Sequence, residues 1–276
     1  MMAALKYASV HGTSPLEILF YRNLFALPTI IGWVAISGGL AAVRTRRISA
    51  HVTRSALGLC VMFCTFLALS KLPLAEATVI SFSAPLFATM LSALVLGEKV
   101  LWHRWTAIVV GFAGVLIAVD PSGSMLPVFG VAIALVAALG TAVVVITLRQ
   151  IGATESATAT VFWFNIACVL VTMIPMPFVH RPHDGNVWLA LVVAGLCGGT
   201  AQIMITAAVR YAPVSVLAPL DYLQLAWATL WGMVLFGIAP TINAALGGVL
   251  IAAAGCYVVW RERRHRQIVV PAADEV

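Results

Sequence analysis

Residues 68–100 read ALSKLPLAEATVISFSAPLFATMLSALVLGEKV, and residues 208–240 read AVRYAPVSVLAPLDYLQLAWATLWGMVLFGIAP. Each stretch has a proline near its start, a long apolar run with a second proline inside it, and a glycine towards its end. Because proline and glycine mark where helices bend and end, these aligned residues predict that the chain contains an internal repeat. Identical residues stand at five aligned positions: Ala68, Pro73, Ala88, Thr89 and Gly97 against Ala208, Pro213, Ala228, Thr229 and Gly237.

The composition places the chain in a lipid bilayer. Of the 276 residues, 62% are hydrophobic and only 9% are charged. Uncharged apolar runs of about 20 residues, the length of a membrane-spanning helix, recur along the sequence. We therefore predict an all-α polytopic membrane protein. The net charge of +6 then reports how the loops are oriented, and it does not indicate a nucleic-acid partner.

Ten apolar segments follow one another, five in each half. They cover residues 1–10, 15–40, 55–70, 75–97, 105–119, 126–148, 156–179, 187–209, 214–237 and 241–260. The polar sequence DPSGSMLP separates the fifth segment from the sixth. We predict one five-helix repeat over residues 1–120, a second over residues 126–260, and a basic cytoplasmic tail over residues 261–276. The first segment has half the length of a spanning helix, so it is either a short or re-entrant element or has lost upstream residues.

The basic residues predict how the chain is oriented. With a cytoplasmic N-terminus, only Lys71 and Arg181 fall in outer loops. Since cytoplasmic loops carry the excess of lysine and arginine, we predict that both termini are cytoplasmic. Twelve basic residues fall in inner loops and the tail: Arg44, Arg46, Arg47, Arg54, Lys99, Arg104, Arg149, Arg210, Arg261, Arg263, Arg264 and Arg266.

An odd number of helices in each repeat has a geometric consequence. The second repeat must cross the membrane in the opposite sense to the first, so the two are related by a pseudo-two-fold axis in the membrane plane. Secondary transporters use such inverted repeats to reach inward-open and outward-open states from one scaffold. The sequence thus predicts two inverted five-helix repeats that form a ten-helix bundle.

Asp221 is the strongest candidate for a binding residue. It lies about 12 Å into its predicted span at 1.5 Å per residue, where a lone charge must face a cavity, a partner or a substrate. Tyr222 is its neighbour, and Gln224 shares its helix face about one turn on. Arg22, about two turns into the second segment, is the matching cation. Two alternatives stay open: Asp221 forms a structural ion pair, or Arg22 extends to the outer membrane interface.

Further polar and aromatic residues lie at membrane depth. Asn165 in the seventh segment aligns with Asn23 in the second, and Gln202 lies in the eighth. Trp163 is a candidate aromatic wall of a cavity. Pro85 and Pro219 lie inside the fourth and ninth segments, where proline frees a backbone carbonyl; they are either packing kinks or parts of a cavity wall that moves. No histidine reaches this depth, so we predict no catalytic residues, metal or cofactor.

Short sequence motifs follow one another in a fixed order along both halves of the chain. The first half carries SPLE at residues 14–17, FYRN at 20–23, SAPLF at 83–87, LGEK at 96–99 and GFAGVLI at 111–117. The second carries APLDY at 218–222, FG at 236–237 and GVLI at 248–251. Together they resemble the drug/metabolite transporter superfamily, in the EamA-type form with ten helices and two repeats. The region around Asp221 is most similar to the riboflavin and S-adenosylmethionine uptake carriers.

The resemblance implies a basket-like bundle with a central cavity and the export or uptake of small metabolites. We therefore expect a secondary transporter in the bacterial inner membrane, active as a monomer or homodimer on a small-molecule substrate. Asp221 is also the candidate to bind a coupling proton. Two other classes stay open. An intramembrane enzyme would need a nucleophile and base or a metal cluster at membrane depth, and a scaffold or channel would need no alternating cavity.

Overall fold

A computed structural model of the chain describes residues 1–45, 47–95, 102–120, 126–152, 154–211 and 223–269. Thirteen α-helices and one 3₁₀ helix lie within these ranges. They are α1 Met2–Val10, α2 Pro15–Leu24, α3 Leu27–Ile36, the 3₁₀ helix Gly39–Val43, α4 Ile48–Lys71, α5 Leu74–Ser81, α6 Ala84–Val95, α7 Trp102–Val119, α8 Val128–Gly152, α9 Ala157–Met173, α10 Met176–Val179, α11 Gly185–Tyr211, α12 Leu223–Phe236 and α13 Ile242–Val269.

Helices long and apolar enough to cross a membrane make up much of the described chain. Five such spans are Pro15–Ile36, Ile48–Lys71, Leu74–Leu91, Val128–Gly152 and Gly185–Thr206. Four shorter apolar helices are Trp105–Val119, Ala157–Met173, Leu223–Phe236 and Ile242–Tyr257. With α1, these correspond in order to the ten predicted segments, although residues 214–222 of the ninth lie outside the described part. The predicted all-α polytopic membrane fold is therefore confirmed.

Two of the spans are broken inside the bundle. The span 74–91 ends its first helix at Ser81 and starts its second at Ala84, so the break lies just before Pro85. The cause is the proline, which has no N–H to donate to the carbonyl group four residues earlier and whose ring clashes with that carbonyl; for Pro85 it belongs to Ser81, the last residue of α5. The span 15–36 is broken in the same way between Leu24 and Leu27, where Pro28 lies in the first turn of α3. Sequence reasoning identified the first break and missed the second.

Glycines allow backbone segments to come into contact at two places in the bundle. A Cβ atom at Gly195 of α11 would lie 3.0 Å from the Cα of Phe25, and one at Gly199 would lie 3.0 Å from the carbonyl oxygen of Ala26. Gly195 and Gly199, four residues apart, therefore form a close packing face of α11. The second contact joins α7 and α13, the last helices of the two halves, where a Cβ at Gly114 would lie 2.9 Å from the carbonyl oxygen of Gly247.

Contacts at each end of the bundle join loops that the charge pattern assigns to the same side. At the predicted outer end, the Asn243 Nδ2 donates to Asp120 Oδ2 at 2.7 Å. At the predicted inner end, the Ser156 hydroxyl donates to the carbonyl oxygen of Ala42 at 2.9 Å, and Arg47 Nη1 donates to Thr154 Oγ1 at 3.1 Å. Each end of the bundle is thus built from both halves of the chain.

Candidate functional site

A buried polar cluster lies where α2 crosses α9 and α11. Arg22 is 3% exposed, Asn165 is 2% exposed and Asn23 is fully buried. Asn23 Oδ1 accepts hydrogen bonds from Arg22 Nη1 at 2.9 Å and from Asn165 Nδ2 at 3.2 Å, and Arg22 Nη2 donates to the carbonyl oxygen of Gly198 at 3.3 Å. The structure therefore brings together Arg22 and Asn165, two of the predicted site residues. It joins them through Asn23, which sequence reasoning aligned with Asn165.

Arg54 is a second buried cation, and sequence reasoning placed it wrongly. The charge pattern assigned it to a cytoplasmic loop, but α4 begins at Ile48, so Arg54 lies in the second turn of that helix and is only 4% exposed. Its guanidinium carbon lies 4.2 Å from the ring centroid of Phe164 on α9. Gly58, one turn on, makes room for this arrangement, because a Cβ there would collide with Arg54 Nη1 and lie 2.7 Å from Phe164 Cε2.

These two arginines lack an anionic partner among the described residues. No described carboxylate lies within 4.0 Å of either guanidinium group. The Nε of Arg22, the Nε and Nη1 of Arg54 and the Oδ1 of Asn165 are buried and have no hydrogen-bond partner there. The Cys168 thiol on α9 lies within electrostatic range of both arginines. The cluster is therefore strongly positive and incompletely bonded.

A small cavity lies between α1, α4, α5, α8 and α12, with a volume of about 60 Å³. Its polar lining consists of hydroxyl groups and the predicted site residue Gln224, which is exposed on α12. Each hydroxyl donates to a carbonyl of its own helix at 2.7–2.8 Å, so its oxygen faces the cavity as an acceptor. These hydroxyls belong to Thr65, Thr78, Ser81 and Thr141.

Three of the other predicted site residues are described, and Trp163, Gln202 and Pro85 do not line this cavity. Trp163 donates from its indole nitrogen to the carbonyl oxygen of Val43 at 2.9 Å and lines a cleft of about 460 Å³ at the predicted inner end. Gln202 is half-buried on α11, and Pro85 is exposed at the start of α6. Three further candidates, Asp221, Tyr222 and Pro219, lie outside the described residues. Among the described candidates, Gln224 and Trp163 therefore line two different cavities.

Two buried acidic residues, Glu17 and Glu76, connect separate segments of the chain at the predicted outer end. Glu17 is fully buried and closes a capping box with Ser14 at the start of α2. Its Oε1 accepts from the backbone N–H of Arg181 at 2.9 Å and lies 3.1 Å from His183 Nε2. The outer loop between α10 and α11 is thus anchored to α2.

Glu76 is the second buried acid, at 2% exposure in the first turn of α5. Lys6 of α1 lies within electrostatic range of it and donates from Nζ to the carbonyl oxygens of Leu69 and Leu72, both at 2.7 Å. The Thr241 N–H points at Glu76 Oε1 from 3.5 Å. This contact links the two halves.

Comparison with known proteins identifies relatives along almost the whole chain. The EamA-like transporter family matches residues 1–119 and 128–261. An S-adenosylmethionine uptake transporter of Rickettsia prowazekii is 26% identical over 250 residues, covering 90% of this chain and 84% of that protein. A riboflavin transporter of Brucella anthropi is 28% identical over 254 residues, covering 90% and 89%. A pseudopaline exporter of Pseudomonas aeruginosa is 26% identical over 253 residues, covering 90% and 87%.

The fold also has a counterpart among solved structures. A crystal structure of another protein superposes with a TM-score of 0.69 and covers 96% of both chains. Its sequence is 20% identical to this one. At that identity the match describes the fold.

Proposed function

Because the chain belongs to the EamA-like transporter family, we propose that it is a secondary transporter that moves a small polar or amphipathic metabolite across the bacterial inner membrane. Transport proceeds by alternating access through a central cavity. The family and the named relatives are transporters, so the chain is not an enzyme. A resemblance to the riboflavin and S-adenosylmethionine carriers, noted in the sequence, agrees with those relatives.

The observation that carries the proposal is a polar interior assembled from both halves of the chain. The cavity with Gln224 is lined by α1, α4 and α5 from the first half and by α8 and α12 from the second. The cluster of Arg22 and Asn165 likewise joins α2 to α9. Polar groups at membrane depth are costly unless they face protein, water or a ligand. A carrier with repeats that move against each other needs a binding site at their interface.

The site that we propose combines the observed residues with those outside the described part. Gln224 and the hydroxyl oxygens around it would accept or exchange hydrogen bonds with the metabolite, and Arg22 and Asn165 would hold its polar end. Asp221 and Tyr222, which precede Gln224 in sequence, complete the proposed site. Gln202 and Trp163 would line the route by which the metabolite reaches it. Pro85 and Pro219 would provide the helix breaks for the change of state. Proton coupling at Asp221, a central cavity and a monomeric or dimeric assembly are parts of this proposal.

Ligand-dependent stabilisation tests the proposal. The melting temperature of the purified protein is measured in the presence of each compound of a metabolite library. The library includes S-adenosylmethionine and riboflavin, because those are the named substrates of two relatives. A ligand that binds only the folded state raises the melting temperature in proportion to the logarithm of its excess over Kd. We expect at least one metabolite to stabilise the protein, and Asp221→Asn or Gln224→Ala to weaken that response about tenfold or more. Uptake of the same compound into proteoliposomes then measures transport.

The outcomes separate the competing functions. Asp221→Asn with unchanged transport and unchanged pH dependence would show that this residue is structural. An ion conductance in proteoliposomes, without saturable uptake, would indicate a channel instead. A chain that binds no metabolite and transports none in that library would contradict the carrier.

The orientation of the chain is a separate part of the proposal. With Arg54 assigned to α4, eleven basic residues remain in the predicted inner loops and tail against two in the outer loops, so we expect both termini in the cytoplasm. Reporter fusions after Trp260 and near Ser49 should both report a cytoplasmic location. An outer location at either position would contradict this topology.

A further inference from the structure

We propose that Arg22 and Arg54 form an anion-binding subsite that takes the carboxylate or phosphate group of the transported metabolite. The inference rests on the proposed transport function and adds the charge of the substrate to it. The subsite lies where α2, α4 and α9 meet, around Cys168. Its ligand chemistry is an oxyanion that guanidinium groups bind through charge-assisted hydrogen bonds.

The first argument is the cost of two buried cations without a counter-ion. Arg22 and Arg54 are 3% and 4% exposed, and no described carboxylate pairs with either. Removing an arginine from water costs several kcal/mol, and a buried partner of opposite charge is the usual compensation. The arrangement is therefore unfavourable until an anion occupies it.

The second argument is that several N–H donors of the cluster face methionine sulfur atoms, which are weak hydrogen-bond acceptors. Arg22 Nη1 lies 3.8 Å from the Met62 sulfur, Arg22 Nη2 lies 4.0 Å from the Met1 sulfur, and Asn23 Nδ2 lies 3.6 Å from Met62. A thioether is a weak acceptor on a flexible side chain. The methionines thus fill positions from which a carboxylate or phosphate oxygen would displace them.

The third argument is that each guanidinium group is fixed in position while some of its N–H donors remain without a partner. Asn23 Oδ1 and the Gly198 carbonyl fix Arg22 through its terminal nitrogens and leave its Nε unbonded. Phe164 supports one face of Arg54, while the Nε and Nη1 of Arg54 remain unbonded. Arginine packed against an aromatic ring loses little further freedom when it binds an oxyanion. The two side chains are therefore preorganised donors.

An approach to the subsite lies next to it. The cleft of about 460 Å³ is lined by His51 and Ser55 of α4 and by Trp163 and Ala167 of α9. Ser55 follows Arg54 in sequence, and Ala167 precedes Cys168. The cleft and the subsite therefore share the same two helices, so a small change in their separation would connect them.

Anion titration of the purified protein tests the inference. Melting temperatures are measured against succinate, inorganic phosphate and the neutral analogue succinamide, at fixed pH and ionic strength. We expect a saturable rise with succinate or phosphate and none with succinamide, and the stronger of the two anions identifies the preferred group. Arg54→Gln should move the midpoint of the anion response at least about tenfold higher, since it removes charge-assisted hydrogen bonds. Arg181→Gln, at an exposed arginine in the outer loop that does not line the cleft, should leave the midpoint unchanged.

The melting temperature without ligand distinguishes a binding role from a structural one. Arg54→Gln removes an uncompensated buried charge, so the ligand-free protein should melt at or above the wild-type temperature. A structural arginine predicts the reverse, with a lower melting temperature and an unchanged anion midpoint. Arg54→Lys keeps the charge and should retain part of the anion response, which provides a test if Arg54→Gln does not fold.

Two results would overturn the subsite. One is a wild-type protein that succinate and phosphate stabilise no more than succinamide does. The other is an Arg54→Gln protein with the wild-type anion midpoint. If a neutral or cationic metabolite still stabilises the protein and is taken up into proteoliposomes, the transport function stands and only the anion subsite fails.

Discussion

Replacing Glu17 with alanine is expected to lower the free energy of unfolding by about 3–6 kcal/mol. The side chain is fully buried and accepts hydrogen bonds from the N–H groups of Ser14 and Arg181. A carboxylate can only accept, so His183 contributes a third donor from Nε2 at 3.1 Å. Alanine would leave three donors without this acceptor, at about 1–2 kcal/mol each, the lower part of the usual range because Arg181 is exposed.

The measurement is thermal unfolding in detergent, with hydrogen exchange at the Arg181 amide as a local probe. A loss of this size corresponds to a fall of roughly 10 °C in a protein of this length. Glu17→Gln is the matched control, because its carbonyl oxygen can still accept from Arg181 and His183 while its amide nitrogen no longer accepts from Ser14. We expect about half of the effect. An alanine variant with wild-type melting and wild-type protection at Arg181 would contradict the role of Glu17 as the anchor of this loop.

Replacing Lys6 with methionine is expected to have an effect of similar size, about 3–5 kcal/mol. Lys6 is 8% exposed and satisfies the carbonyl oxygens of Leu69 and Leu72 at the end of α4. It is also the cation near the buried carboxylate of Glu76, whose Oε2 has no hydrogen-bond partner among the described residues. Methionine keeps the length of the side chain and removes both interactions.

A double-mutant cycle separates the two contributions. Lys6→Met leaves the Glu76 charge uncompensated, whereas Lys6→Met with Glu76→Gln removes that charge as well. The double variant should therefore be more stable than additivity predicts, by about 1–3 kcal/mol. Lys71→Met, at an exposed lysine at the end of α4, is the control and should change stability little. Strict additivity would show that Lys6 acts only through the two carbonyl groups.

Several properties of the chain follow from its sequence. Apolar runs near the length of a bilayer predict spanning helices because a backbone in lipid must satisfy its hydrogen bonds within one segment. The break before Pro85 is equally local, since a proline ring and the turn that precedes it decide where the helix ends. Ser14 and Glu17 specify the start of α2 in the same way, through a capping box that spans four residues. The family resemblance depends on such short motifs in fixed order.

The candidate site was only partly predictable. Arg22 and Asn165 could be selected because a charge or amide deep in an apolar run is costly in lipid. Arg54 could not, because the basic residues before it made it part of a loop, and only the start of α4 at Ile48 places it inside the bundle. Its one signal in the sequence is Gly58, four residues later on the same helix face.

Which residues meet across the bundle was decided by tertiary structure alone. In a soluble protein the apolar face of a helix identifies its packed side, but in a membrane protein the lipid-facing and packed faces are both apolar. On α11, for example, Leu189 is 63% exposed and Leu191 is fully buried. Sequence periodicity therefore cannot show that Glu17 contacts His183 or that Arg54 lies over Phe164. The Arg54–Phe164 pair depends on close packing at Gly58, where the absence of a single Cβ atom determines how near the two helices come.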